Sequence, residues 1–261
     1  EEAARLELAV TTDGQPHRFG HDLGAVVRAY ALGDPARLLI AFGVPAARLE
    51  SMAHGGGSVF ALRLRLAALP ARGFPVTLDT TLFYDASRAL RPDHWVLGLL
   101  ELPVAPGAWE VRSMVTDHRP GAGSTGWQAE LEVPAPGEPS VSTLVLGTPR
   151  SELQWASPAG PFPLSPLNSY RRDDEVALFV EASGLAGTEA AEVRMRVSNA
   201  SRPDRTVLEL RSEEPVTGGR IRLVRTIGLE RLAAGAYLLQ VEVHAPGGVV
   251  AARAQRFLVR R

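Results

Sequence analysis

The sequence predicts an all-β chain of two tandem β-sandwich domains, immunoglobulin-like or fibronectin-like, with a Pro-rich connector between them. Three observations predict it. Apolar and polar residues alternate with a period of two, glycine-rich turns punctuate the alternation, and a Gly-Ala-aromatic strand occurs once in each half.

The alternation is clearest in three segments. Phe60, Leu62, Leu64 and Leu66 alternate with Ala61, Arg63 and Arg65. Val193, Met195 and Val197 alternate with Glu192, Arg194 and Arg196. Ile221 and Leu223 alternate with Arg220 and Arg222. Successive strand side chains point to opposite faces, so each segment offers one face to a core and an Arg-bearing face to water. Asp13-Gly14, Gly55-Gly56-Gly57, Gly218-Gly219 and Pro246-Gly247-Gly248 supply turns at sandwich spacing. Helical signals are few. Asp22 to Tyr30 fits a short helix capped by Asp22, but Gly24 and Val26-Val27 fit a strand equally well.

The repeat aligns Leu102–Asp117 (LPVAPGAWEVRSMVTD) with Leu229–Ala245 (LERLAAGAYLLQVEVHA), and a glycine turn and a further strand follow each. Glycine permits the tight approach and the ring anchors the strand in a core, which predicts a closing hairpin in each domain. Between the halves, eight of the twenty prolines fall from Pro134 to Pro166. Proline cannot donate to a sheet ladder, so this stretch reads as connector or edge. It still contains Val141–Leu146 (VSTLVL), a candidate first strand of the second domain. The expected organisation is domain 1 over 1–135 with an irregular N-terminal arm, a connector over 136–170, and domain 2 over 171–261. Such a connector is stiff and suits a brace better than a tether.

Composition narrows the function classes. The 261 residues carry a formal net charge of -1, which gives no whole-molecule pull toward nucleic acid or an anionic membrane. All 28 basic side chains are Arg, which a GC-rich genome explains first; the functional alternative is that Arg forms planar bidentate contacts and tolerates partial burial at interfaces better than Lys. The absence of Cys removes disulfides, thiolate metal sites and Cys nucleophiles. No apolar run approaches the ~20 residues of a membrane-spanning helix. The sequence begins Glu1-Glu2 with no basic n-region or apolar h-region, so either a targeting segment has been removed or the sequence starts downstream of the natural N-terminus; the expectation is an exported protein.

Motifs with chemical meaning lack their structural context. Gly121–Gly126 (GAGSTG) fits the spacing of a dinucleotide fingerprint, but a strand on either side makes it a hairpin loop. His17 and His21 are two imidazoles without a third ligand, and Gln15-Pro16 and Gly20 argue against a helix that would bring them together. Asp173-Asp174-Glu175 beside Arg171-Arg172 lacks a calcium-loop spacing and reads as a self-compensating turn. No Gly-x-Ser-x-Gly elbow surrounds Ser124. Asp79 and Asp85 are a carboxylate pair of the sort any sandwich contains. No cofactor and no metal ligand set is predicted, and the chain is expected not to be an enzyme. A carbohydrate-binding envelope module is the alternative, with Trp95, Trp109, Trp127 and Trp155 as candidate stacking rings.

Three pieces of the chain resemble the β-rich, non-catalytic region of GWxTD-domain envelope proteins of Gemmatimonadetes and Bacteroidetes. They are Arg37–Pro45 (RLLIAFGVP), Leu102–Leu146, and Asn168–Glu181 (NSYRRDDEVALFVE). The motif itself is absent, since Gly126-Trp127 is followed by Gln128-Ala129. The resemblance implies a β-rich fold and a periplasmic or envelope setting, and it carries over no site residue. With the all-Arg composition, the chain also looks like the membrane-extrinsic subunits that brace gemmatimonad photosynthetic reaction centres within their antenna. The expected function is a non-catalytic subunit docked on protein subunits of a larger membrane-associated complex. Trp155, Phe162 and Tyr170 of the connector, and Phe19 of the N-terminal arm, are the expected contact residues. Packing between the two domains is the competing role for the same rings.

Overall fold

The computed structural model describes residues 19–54, 57–86, 90–245 and 248–261. Apart from one 3-10 turn at Ala46–Arg48, every helix or strand among them is a strand. The first nine are β1 (His21–Asp22), β2 (Val26–Gly33), β3 (Ala36–Pro45), β4 (Met52–His54), β5 (Gly57–Pro70), β6 (Val76–Ala86), β7 (Trp95–Pro103), β8 (Gly107–Thr116) and β9 (Ala122–Val133). The Pro-rich stretch holds β10 (Ser140–Val141), β11 (Val145–Gly147), β12 (Gln154–Ser157) and β13 (Gly160–Pro163). There follow β14 (Ser169–Arg171), β15 (Glu175–Ser183), β16 (Ala190–Asn199), β17 (Arg202–Pro215), β18 (Ile221–Gly228), β19 (Gly235–Ala245) and β20 (Gly248–Arg260). The segment from Asp22 to Tyr30, open between helix and strand in the sequence, is not helical: Val26–Tyr30 belongs to β2, and Gly24 turns the chain between β1 and β2 at φ 63°.

The chain divides into two compact units. Of the described residues, unit 1 comprises 19–29, 40–54, 57–86, 90–100 and 108–131; unit 2 comprises 30–39, 101–107, 132–245 and 248–261. The division is not one cut along the sequence, because two early segments belong with unit 2.

The main sheets of the two units have the same strand order. In the first, β6-β5-β8-β9-β1 run side by side, with β4 also on β5; in the second, β17-β16-β19-β20-β14 do so. In both, the last strand joins parallel, β1 on β9 and β14 on β20. The Gly-Ala-aromatic segments open β8 and β19, equivalent strands of these sheets, and Trp109 and Tyr237 are both buried. Gly107 enters β8 at φ 126°, a backbone conformation that only glycine adopts at little cost. Tyr237 adds a hydrogen bond from its hydroxyl to the Ala233 carbonyl, 2.9 Å away, that pins the turn before β19.

Unit 2 is a β-sandwich. Its second sheet is β10 and β11 on one edge of β15, with β18 on the other. One core joins the two sheets: Val176, Leu178 and Val180 of β15 and Ile221 and Leu223 of β18 pack with Val193, Met195 and Val197 of β16 and Leu239, Val241 and Val243 of β19. Antiparallel pairing through the register Val180↔Leu223 and Met195↔Val241 keeps these side chains on one face of each sheet. The arrangement is consistent with an immunoglobulin-like sandwich. VSTLVL of the Pro-rich stretch supplies β10 and β11, strands of this sheet. In unit 1 the predicted alternation of β5 holds, with Phe60, Leu62, Leu64 and Leu66 buried. The strands β2-β3-β7 form a separate three-stranded sheet.

Candidate functional site

β15 reads EVALFVEAS, and its side chains are buried on both faces. The inward set fills the sandwich core; the outward set, Ala177, Phe179 and Glu181, is covered by a further layer within unit 2. Two clusters make that layer.

The first is aromatic. Trp155 on β12 meets Phe179 edge-on, with ring centroids 4.8 Å apart at 87°, and Phe162 on β13 completes the trio at 6.1–6.2 Å. The Trp155 indole N–H donates to Glu101 Oε1 at 2.7 Å. The Arg37 guanidinium lies over the Trp155 ring, 5.9 Å from its centroid, and donates to the Pro35 carbonyl at 2.9 Å. Its Nε stands 3.4 Å from Glu101 Oε2, and Arg37 is only 5% exposed. A delocalised, weakly hydrated guanidinium on a ring face is the form in which a buried positive charge is tolerated best.

The second cluster is ionic. Asp34 Oδ2 accepts hydrogen bonds from Arg220 and, at 2.7 Å, from Arg222, whose Nε donates to Glu181 Oε1 at 3.1 Å. These four line a shallow pocket beside Pro134 and Ser142. Burial raises the Glu181 pKa, and the Arg222 hydrogen bond opposes the rise. Its Oε2 has no partner among the described residues. The arrangement neutralises its own charges and ties Asp34 to β18. The Arg-bearing face of β18 stays exposed, as alternation assigned it, and it is from this face that the arginines reach Asp34. Its partners lie 186, 188 and 41 positions apart, so no local pattern announced them.

The structure relocates the predicted contact residues. Trp155, Phe162 and Tyr170 are each 1% exposed and belong to the interior of unit 2, so these three rings offer no docking surface. Tyr170 meets Phe257 edge-on at 6.3 Å. Proline richness suggested a surface connector, but prolines at strand ends leave the rings between them free to face inward. Phe19 is half-buried, packed against Ala67 and Met114.

The remaining motifs find structural roles. Of the glycine run, Gly121 ends a turn and the rest lies within β9. A Cβ at Gly123 would fall 2.6 Å from the Phe19 ring and one at Gly126 2.7 Å from Ser113 Oγ, so both glycines make room for side chains. Asp22 accepts hydrogen bonds from Ser124 Oγ and from the Gly24 N–H, and these lower its pKa. His21 is exposed on β1; His17 lies outside the described residues. Asp174 is compensated by Arg150 at 2.7 Å, rather than by the side chains of neighbouring Arg171 and Arg172. Asp79 and Asp85 share the outer face of β6 but sit about 20 Å apart along it. Arg63 grips Asp79 bidentately at 2.6–2.7 Å, and Arg65 adds a third contact at 3.0 Å.

Six large apolar side chains are exposed among the described residues: Val207 and Leu210 on β17, Val224 on β18, Leu258 on β20, and, most fully, Phe74 and Phe83 of unit 1. Phe74, at the tip of the β5–β6 hairpin, is 92% exposed, and Phe83 on β6 is 66% exposed. Sequence alternation contained the signal for Phe83, which falls on the polar phase of β6. No helix among the described residues is long and apolar enough to cross a membrane.

No family model and no curated protein sequence matches the chain. Among solved structures, a glycosyl hydrolase family 2 member from Bacteroides cellulosilyticus DSM 14838 aligns at 8% identity over 88% of this chain and 29% of its own, with a TM-score of 0.36. A putative β-galactosidase from Bacteroides fragilis aligns at 10% identity over 84% of this chain and 32% of its own, TM-score 0.33. Red sea bream transglutaminase aligns at 10% identity over 94% of this chain and 30% of its own, TM-score 0.27. The chain thus spans under a third of the length of each of these proteins.

Proposed function

We propose that this chain is a non-catalytic structural subunit of the cell envelope. It docks from outside the membrane onto a larger protein assembly and stabilises it. The observation that carries the reading is Phe74: a phenylalanine left 92% exposed on a hairpin tip, with Arg72 beside it, is the kind of aromatic and arginine anchor that dominates interface energetics. The polar clusters support the reading, because Arg37–Glu101–Trp155 and Asp34–Arg220–Arg222–Glu181 bind one another and serve the fold. The envelope resemblance and the all-Arg composition make a photosynthetic reaction-centre or light-harvesting complex the first assembly to test. The carbohydrate-binding alternative draws on fewer rings than the sequence offered, since Trp109 and Trp155 are interior.

The test is gentle co-purification from native membranes of the wild-type chain and of a Phe74→Ser variant. The expected result is a stoichiometric protein complex with the wild type and its loss with Phe74→Ser, while the melting temperature of the free chain stays unchanged. A free wild-type chain with no co-purifying subunit would refute the reading, and glycan-array binding would then favour the alternative.

A further inference from the structure

β6 and β17 hold the same place in their sheets: each is the outermost strand, and among the described residues each pairs on one side only, with β5 and β16. An open edge invites pairing with another chain, and proteins blunt such edges with charge and proline. β17 is blunted: seven of its fourteen residues are charged, and a proline stands near each end. β6 is not. Its eleven residues, VTLDTTLFYDA, contain no proline and two carboxylates, and Arg63 and Arg65 already neutralise Asp79. Six of the eleven are β-branched or aromatic, the types that favour strand pairing.

The packing of β6 is also incomplete. Leu62, Leu64 and Leu66 on β5 are buried, but Leu82, Thr80 and Leu78, paired opposite them on β6, are half-buried. Tyr84 is half-buried on the same face, and Phe83 stands exposed on the other.

We infer that β6 is a homodimer edge, pairing antiparallel with β6 of a second copy about a two-fold axis through Thr81. This is the register of full overlap, and a closed two-fold pair uses one edge per copy. On the inner face it sets Leu78 against Tyr84, Thr80 against Leu82 and Val76 against Ala86. On the outer face it sets Thr77 against Asp85 and Asp79 against Phe83, so no like charges face each other. The neighbouring registers are worse. Centring on Leu82 brings Asp79 opposite Asp85, and centring on Thr80 runs the strand end against Pro75, which has no N–H to give. The inference is independent of the docking reading, which rests on Phe74.

The chain has no cysteine, which makes the test clean. In the two-fold register residue 81 faces its own copy at the Cα spacing of a paired strand, within disulfide reach, whereas the two copies of residue 77 are about 26 Å apart. Thr81→Cys under mild oxidation is expected to give a disulfide-linked dimer, and Thr77→Cys is expected to stay unlinked. By sedimentation equilibrium the cysteine-free chain is expected to dimerise. Thr81→Glu, which faces Arg63 within its own copy but a second carboxylate across the two-fold axis, is expected to weaken that association about tenfold or more without lowering the melting temperature of the dilute, monomeric chain. A monomer at every concentration overturns the inference. So does equal cross-linking at 77 and 81, or a dimer indifferent to Thr81→Glu.

Discussion

Glu101 holds the aromatic cluster of unit 2 by both of its oxygens. Glu101→Ala removes the acceptor of the Trp155 indole and the nearest counter-charge of Arg37 together. An orphaned buried donor costs about 1–3 kcal/mol. Removing one partner of a fully buried ion pair costs about 3–5 kcal/mol. The Glu101 side chain is 41% exposed, so water replaces a good part of the second term. The total expected for Glu101→Ala is about 3 kcal/mol. Glu101→Gln keeps a carbonyl for the indole and loses only the charge, so it should cost about 1 kcal/mol. Urea unfolding followed by tryptophan emission measures both as midpoint shifts at constant slope. The transition of unit 2 is identified as the one that a Trp155→Phe background dims. Equal costs for Ala and Gln, or a cost for Ala below about 0.5 kcal/mol, the range of surface substitutions, would refute the reasoning.

Two further predictions concern packing and pH. A Cβ at Gly98 on β7 would run into the Phe42 ring and the Tyr84 hydroxyl, so Gly98→Ala should cost about 1–3 kcal/mol, visible in a thermal melt; an unchanged melting temperature would show that unit 1 has slack there. Glu181 has its folded pKa raised above the usual 4.5 by burial, so the native state holds that proton more tightly than the unfolded chain. Its contribution to stability is complete below pH 4.5 and is lost as pH rises through the folded value. Glu181→Gln should flatten that part of the stability–pH curve, and an unaltered slope would put the titration elsewhere.

The alternation of Phe60 to Leu66 and of Val193 to Val197 made the strand class legible, because a strand's two faces meet different solvents and the side chains record it. The Gly-Ala-aromatic repeat identified equivalent strands in two sheets of the same order. The apolar run of β15 also contained the fact that its outer face is covered, though not what covers it. Proline counting misplaced Trp155, Phe162 and Tyr170, because composition reports that a segment avoids central ladders and not which way its rings point.

Local periodicity is set by each residue's own preference for water, so the sequence by itself determined the β class, the repeated strand and the absence of thiol chemistry. Pairings between distant residues have no such local signature. Asp34 meeting Arg220 and Arg222, Arg37 meeting Trp155 and Glu101, and the outermost positions of β6 and β17 in their sheets were decided by the tertiary structure alone. Only it settles which charges are spent on the fold and, among the described residues, which strands end a sheet.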